Sequence, residues 1–304
     1  MTTGTHHTSD SKPRVPATVL VLLAIASVQF GGALAVTLIP LVGVLGSVTL
    51  RLAIASAIML AILRPKVRGH SRGDWCTVAA FGVALAAMNS AFYASLERLP
   101  IGIAVTVEFV GPLMLAAVLS RRARDLIAVA IAAVGILLIS GIGPTPVDRL
   151  DIVGVALALT AGAAWAAYIL LSARTGARFP HLDGLAFAMT IATVLVAPMG
   201  IATAGASMLE PEVLLRGAGI AVLSSVLPYS LELLALRHLR ANVFGVLLSL
   251  EPAVAALAGL VVLGQVLSVI QMLGMAAVVA ASASVTRREP TPPPDPDTPR
   301  DLGP

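Results

Sequence analysis

Residues 95–114 read SLERLPIGIAVTVEFVGPLM, and residues 235–254 read ALRHLRANVFGVLLSLEPAV. Set at an offset of 140, Leu96 meets Leu236, Leu99 meets Leu239 and Pro112 meets Pro252. Each proline follows a glutamate, Glu108 four residues earlier and Glu251 one residue earlier, and both glutamates sit in apolar runs. The chain therefore reads as two related halves. If each half holds five apolar segments, an odd number, the second half enters a membrane from the side opposite to the first. Inverted repeats of this kind place a binding site near the bilayer midplane, where the halves meet.

The composition agrees with a membrane chain. Of 304 residues, 58% are hydrophobic and 12% charged, where soluble domains carry about 25% charged residues. So few ionic groups cannot cover a water-soluble surface. A spanning helix needs about 20 apolar residues. Ten segments of that kind lie at 16–38, 44–64, 75–96, 101–120, 125–142, 151–172, 183–204, 213–236, 241–263 and 267–286. Their length predicts helices, because an open strand edge goes unsatisfied in lipid. The expected architecture is all-α and integral to the membrane, with ten transmembrane helices as two inverted five-helix repeats, 16–142 and 143–286. Residues 1–15 form a polar cytoplasmic tail, and 287–304 a Pro-rich one too polar to join a core.

Lys12, Arg14 and the run ending Ala33-Leu34-Ala35 resemble a cleavable signal peptide. The apolar run is longer than such a segment, and nine more follow, so it reads as the first span. With the N-terminus in the cytoplasm, sixteen of the twenty Lys and Arg residues fall on the inner side. Three, Arg98, Arg149 and Arg216, fall outside, and Arg51 lies within segment 2. Basic loops mark the cytoplasmic side, so both termini are expected inside.

Several chemistries are excluded. Cys76 is the single cysteine, and the five histidines show no metal-ligand spacing. We expect no metal site, no cofactor and no enzyme activity. Neither Lys12 nor Lys66 lies in a phosphate-binding loop. The basic balance reflects cytoplasmic loops rather than a nucleic-acid partner.

Polar groups inside spans are costly and mark pathways. Glu108 lies ~12 Å into segment 4 and Glu251 ~15 Å into segment 9, at 1.5 Å per residue. Glu232 lies closer to the inner end of segment 8. Arg51 is ~10 Å deep by the same measure, and its expected role is an ion pair with Glu108 or reception of a substrate carboxylate. Glu251 has no basic residue at its depth, which makes it the candidate for proton coupling. Pro112, Pro228 and Pro252 interrupt segments 4, 8 and 9 as candidate hinges. Each frees the carbonyl four residues earlier. Asn89, Gln29, Trp165, Tyr229 and Tyr93 complete the candidate substrate and proton pathway. Tyr93 and Tyr168 also suit an interfacial belt. Small residues at spacing four (Ser27, Gly31, Ala35; Ala158, Gly162, Ala166) read as close helix packing.

The stretches AIASVQ (24–29), TLRLA (49–53), GVALAAMNSAFY (82–93), LPIGIAVTVEFVGPL (99–113), AGAAWAAYIL (161–170), LSSVLPYSL (223–231) and SLEP (249–252) resemble the EamA-type transporters of the drug/metabolite transporter superfamily. Within it they are most similar to bacterial threonine/homoserine exporters. The resemblance spans roughly residues 15–285. It implies a proton-coupled secondary transporter of the cytoplasmic membrane, acting as monomer or homodimer among membrane lipids. Its substrate would be a small neutral amino acid. The alternative is a carrier of another metabolite, such as a cysteine derivative, an aromatic amino acid or an amine.

Overall fold

The computed structural model describes residues 15–99, 104, 107–120, 123–140, 151–251, 253–254 and 268–286. The expected tails before residue 15 and after 286, and Pro252, lie outside the described residues.

Among the described residues the chain is helical throughout. The helices are α1 (Ala17–Val36), α2 (Ile39–Leu63), α3 (Arg72–Leu96), α4 (Val110–Leu119), α5 (Ala123–Ser140), α6 (Ile152–Arg178), α7 (Asp183–Ala204), α8 (Pro211–Ala221), α9 (Leu227–Leu236), α10 (Ala241–Leu248) and α11 (Val269–Thr286). A five-residue π turn, Val222–Val226, joins α8 to α9. By length and composition, five stretches can cross a membrane: Ile39–Leu63, Arg72–Ser95, Ile152–Arg178, Asp183–Leu209 and Pro211–Leu236. Ala17–Gly32, Val110–Leu119 and Val269–Ala281 are shorter apolar helices.

Local chemistry sets the ends. Ser71 caps α3 in a reciprocal box: its hydroxyl accepts from Asp74 N–H at 3.2 Å, and Asp74 accepts from Ser71 N–H at 2.9 Å. Both bonds satisfy amides that the helix start leaves free. Asp151 caps α6 by accepting from Val153 N–H at 2.8 Å and Gly154 N–H at 3.1 Å. Helix α2 starts five residues before the apolar segment was expected to, but it is broken at Gly43, where φ is 68°.

Ile62, Val118, Ile152 and Leu215 stand exposed on the outer faces, which suits a lipid surround. Between helices lipid offers no hydrophobic gain, so close backbone approach supplies the contact. Helix α3 packs on α6 and α7, α2 on α7 and α8, α1 on α9, α4 on α6 and α10, and α5 on α11. The buried core joins Phe81, Leu85, Phe109, Tyr168, Met189 and Phe244.

Candidate functional site

Where α1, α2, α3, α6 and α9 come together with the segments around Glu108 and Glu251, they line a partly open cavity of about 130 Å³. That is room for roughly four waters at ~30 Å³ each. Its polar lining is Arg51, Asn89, Tyr93, Glu108, Glu232 and Glu251, with Tyr168 and Tyr229. Val28, Met88, Phe92 and Trp165 form its apolar wall.

Arg51 is 7% exposed and donates through Nη2 to Asn89 Oδ1. Its guanidinium also lies over the ring of Tyr93, 5.8 Å from the centre. Asn89 and Tyr93 stand one turn apart on α3, so one helix face offers both an oxygen and an aromatic surface. Asn89 Nδ2 donates to Leu85 O at 2.8 Å, which leaves Oδ1 for Arg51. Arg51 Nε is buried without a hydrogen-bond partner among the described residues. The expected ion pair between Arg51 and Glu108 is not formed. Among the described residues no Arg51 nitrogen lies within 4.0 Å of a carboxylate; Asn89 and Tyr93 take that place.

Glu232 accepts a hydrogen bond from Tyr168 OH at 2.5 Å. Tyr168 is 1% exposed, with Phe81 at 5.4 Å and Tyr229 at 5.7 Å between ring centres. It is a core residue rather than an interfacial belt residue. Trp165 meets Phe109 edge to face at 4.9 Å.

Two helix interruptions shape the cavity. The chain turns at Phe109, immediately after Glu108, and α4 begins with Pro112 in its first turn. Gly111 and Gly162 lie against each other there: a Cβ on Gly162 would stand 2.4 Å from Glu108 O, and one on Gly111 1.9 Å from Gly162 O. The carbonyl that Pro112 leaves without its helical donor thus rests on α6. In α9, Pro228 follows the π turn, where Leu227 N–H reaches back five residues to Val222 O. Single π turns often accompany functional sites. Ser27 on α1 donates to Leu223 O at 2.7 Å, and Gly31 lets Ser224 approach α1. The hydroxyls of Ser224 and Ser225 are buried and have no hydrogen-bond partner among the described residues.

Comparison with known proteins gives the family. The chain is 40% identical over 274 residues to the threonine/homoserine exporter RhtA of Salmonella typhimurium strain SL1344, covering 89% of this chain and 92% of that one. It is 41% identical over 268 residues to RhtA of Escherichia coli strain K12, covering 88% and 90%. Residues 152–287 match the model of the EamA-like transporter family. The chain belongs to the EamA-like transporter family. A crystal structure of another protein superposes with a TM-score of 0.72 at 18% identity, over 89% of this chain and 96% of that one, a likeness of fold. The relatives named are exporters, so this EamA-like chain is a multi-pass membrane transporter and not an enzyme.

Of the residues singled out in the sequence, this EamA-like fold brings eight to one cavity: Arg51, Asn89, Tyr93, Glu108, Trp165, Tyr229, Glu232 and Glu251. Gln29 is not among them. It is half-buried on α1, and that helix presents Val28 to the cavity instead. Neighbours on a helix point about 100° apart, so a one-residue difference in facing decides it. Sequence reasoning passed over Tyr168 as a partner of Glu232 and the wall residues Val28, Met88 and Phe92. Met88 and Phe92 flank Asn89 and Tyr93 at helical spacing, a signal that was available. The Tyr168–Glu232 pair, 64 residues apart, left none.

Proposed function

We propose that the protein exports small neutral amino acids of the threonine and homoserine type across the bacterial cytoplasmic membrane, in exchange for entering protons. The observation that carries this reading is the pairing of exporter relatives at 40–41% identity over most of the chain with one small cavity holding both signs of charge. A zwitterionic amino acid needs a cation for its carboxylate and an anion for its ammonium. Arg51 offers the first, with Nε free of hydrogen-bond partners among the described residues. Glu108 and Glu251 offer the second. Three acidic side chains around a single guanidinium also favour protons as co-ligands, since unpaired charge is costly at membrane depth.

The fold in this reading is ten transmembrane helices in two inverted repeats, with both termini cytoplasmic. The helix pairings support it. Exchanging each helical segment for its counterpart in the other half turns the α3–α6 contact into the α1–α9 contact. It turns α3–α7 into α2–α8, and α4–α6 into α1–α10, and maps α2–α7 and α5–α11 onto themselves. The family match over 152–287 covers the second expected repeat. The sixteen-to-three split of basic residues supports the orientation.

Transport then follows an alternating-access cycle. With the cavity open outward, a proton loads Glu251 and the amino acid leaves. With the cavity open inward, water stabilises the carboxylate and the proton is released as cytoplasmic substrate binds. Proton entry drives amino-acid exit if the two protonation states favour opposite openings. The breaks at Phe109 and at the π turn before Pro228 are the hinges in this cycle.

Overexpression should raise tolerance to external homoserine and threonine and speed efflux of the labelled amino acids. Unchanged tolerance and efflux, with the protein confirmed in the membrane, would contradict the reading.

A further inference from the structure

The cavity's apolar side has a size limit built into it. Trp165 is the largest side chain on that wall and is 9% exposed. Its ring is backed by Phe109, edge to face at 4.9 Å and 69°, and Phe109 is itself 2% exposed. An indole wedged in this way cannot swing aside without displacing core. Its distance from the acidic anchor is also fixed. One turn earlier on α6, Gly162 rests on Glu108 O and Gly111. The helix that carries the wall is therefore seated on the backbone of Glu108. Arg51 is held by Asn89 and Tyr93 on the other side. A ligand whose ammonium and carboxylate engage these anchors lays its side chain against this fixed indole.

We infer that Trp165 is the specificity-determining residue of this transporter: it admits side chains of two or three heavy atoms and rejects larger ones, leucine and the aromatic amino acids among them. Met88 and Phe92 complete that wall but lie on α3, beside the Arg51 anchor. Replacing the indole by a smaller group removes the barrier that faces the carboxylates while leaving every charged group in place. The assignment rests on the amino-acid exporter reading and sharpens its substrate class.

The test is flux of labelled threonine, leucine and phenylalanine in vesicles containing the full chain, as wild type, Trp165→Ala or Trp165→Phe. Wild type should move threonine and neither larger amino acid. Trp165→Ala should raise the leucine-to-threonine flux ratio at least ~10-fold, the lower end of what one methylene contributes in an apolar pocket. Trp165→Phe should lie between. A ratio unchanged in both variants, or wild type that moves leucine as fast as threonine, overturns the assignment. If Trp165→Ala fails to reach the membrane, Trp165→Phe is read by the same criterion. Wild type that moves none of the three overturns the exporter reading, and the assignment with it.

Discussion

Gly111 and Gly162 meet backbone to backbone, so closely that a Cβ on Gly111 would stand 1.9 Å from the carbonyl oxygen of Gly162. The contact joins the start of α4 to the middle of α6. It sits between the two features that define the cavity, Glu108 before α4 and Trp165 on α6. Any side chain at either glycine must push backbone away from backbone, since no flexible group lies between them.

Gly162→Ala should therefore destabilise the protein by roughly 1–3 kcal/mol, the usual cost of overpacking, and should disturb transport as well. Thermal unfolding in detergent, with residual transport of membrane-inserted protein, checks this. An unchanged melting temperature would mean that α4 and α6 are not in register as described.

Arg51 and Asn89 should be energetically coupled. Arg51→Gln, Asn89→Leu and the double variant form a cycle whose interaction energy should fall within about 0.5–3 kcal/mol, as for residues in direct contact. The same cycle with Glu108 in place of Asn89 should give a smaller value. A larger coupling to Glu108 would restore the ion pair expected from depth alone.

Tyr168→Phe removes the hydroxyl donated to Glu232 and leaves a buried acceptor without that partner. The expected cost is roughly 1–3 kcal/mol, read from denaturation of the purified variant. A stability equal to wild type would show that Glu232 finds another donor.

Asp151, the N-cap immediately before the Ile152–Arg178 stretch, gives a pH signature. The Gly154 amide, then the Arg98 side chain at 3.0 Å, hold its carboxyl below the ordinary carboxylate range. Its folded pKa thus lies below the unfolded value of about 3.9. The stabilisation is fully present above that value and is lost as pH falls through the folded pKa. Asp151→Asn keeps a capping oxygen and removes the charge. The melting temperatures of the two proteins should differ at about pH 5 and above and converge as the medium is acidified below the ordinary carboxylate range. A difference that persists unchanged in strong acid would rule out this charge as its source.

The apolar helices that the structure describes were legible because lipid demands long apolar runs, and their polar edges were not. Helix α3 begins at Arg72 rather than 75, and α6 runs to Arg178 rather than 172. In both, a capped or basic polar turn extends the helix past the apolar stretch. Segment 8 read as one span with a proline kink, and Pro211–Leu236 is one stretch long enough to cross a membrane; the π turn Val222–Val226 within it was not legible, because hydrophobic content is blind to an inserted residue. The polar residues of the site stood out because such groups rarely occur at depth without function. Their pairing did not. Arg51 and Glu108 share a depth, but depth says nothing of rotation about a helix. Asn89 holds Arg51 because α3 faces α2 at that turn, and Gln29 misses the cavity for the same kind of reason.

Proton-driven export through Glu251 is the central claim, and uphill transport in proteoliposomes tests it most directly. Wild type and Glu251→Gln are reconstituted with labelled threonine and given an imposed pH gradient. Wild type should move threonine against its concentration gradient when protons can flow the other way. Glu251→Gln, which resembles the protonated state, should still exchange threonine down a gradient but should not move it uphill. Full pH-driven uphill transport by Glu251→Gln would contradict the account and leave Glu251 a structural residue.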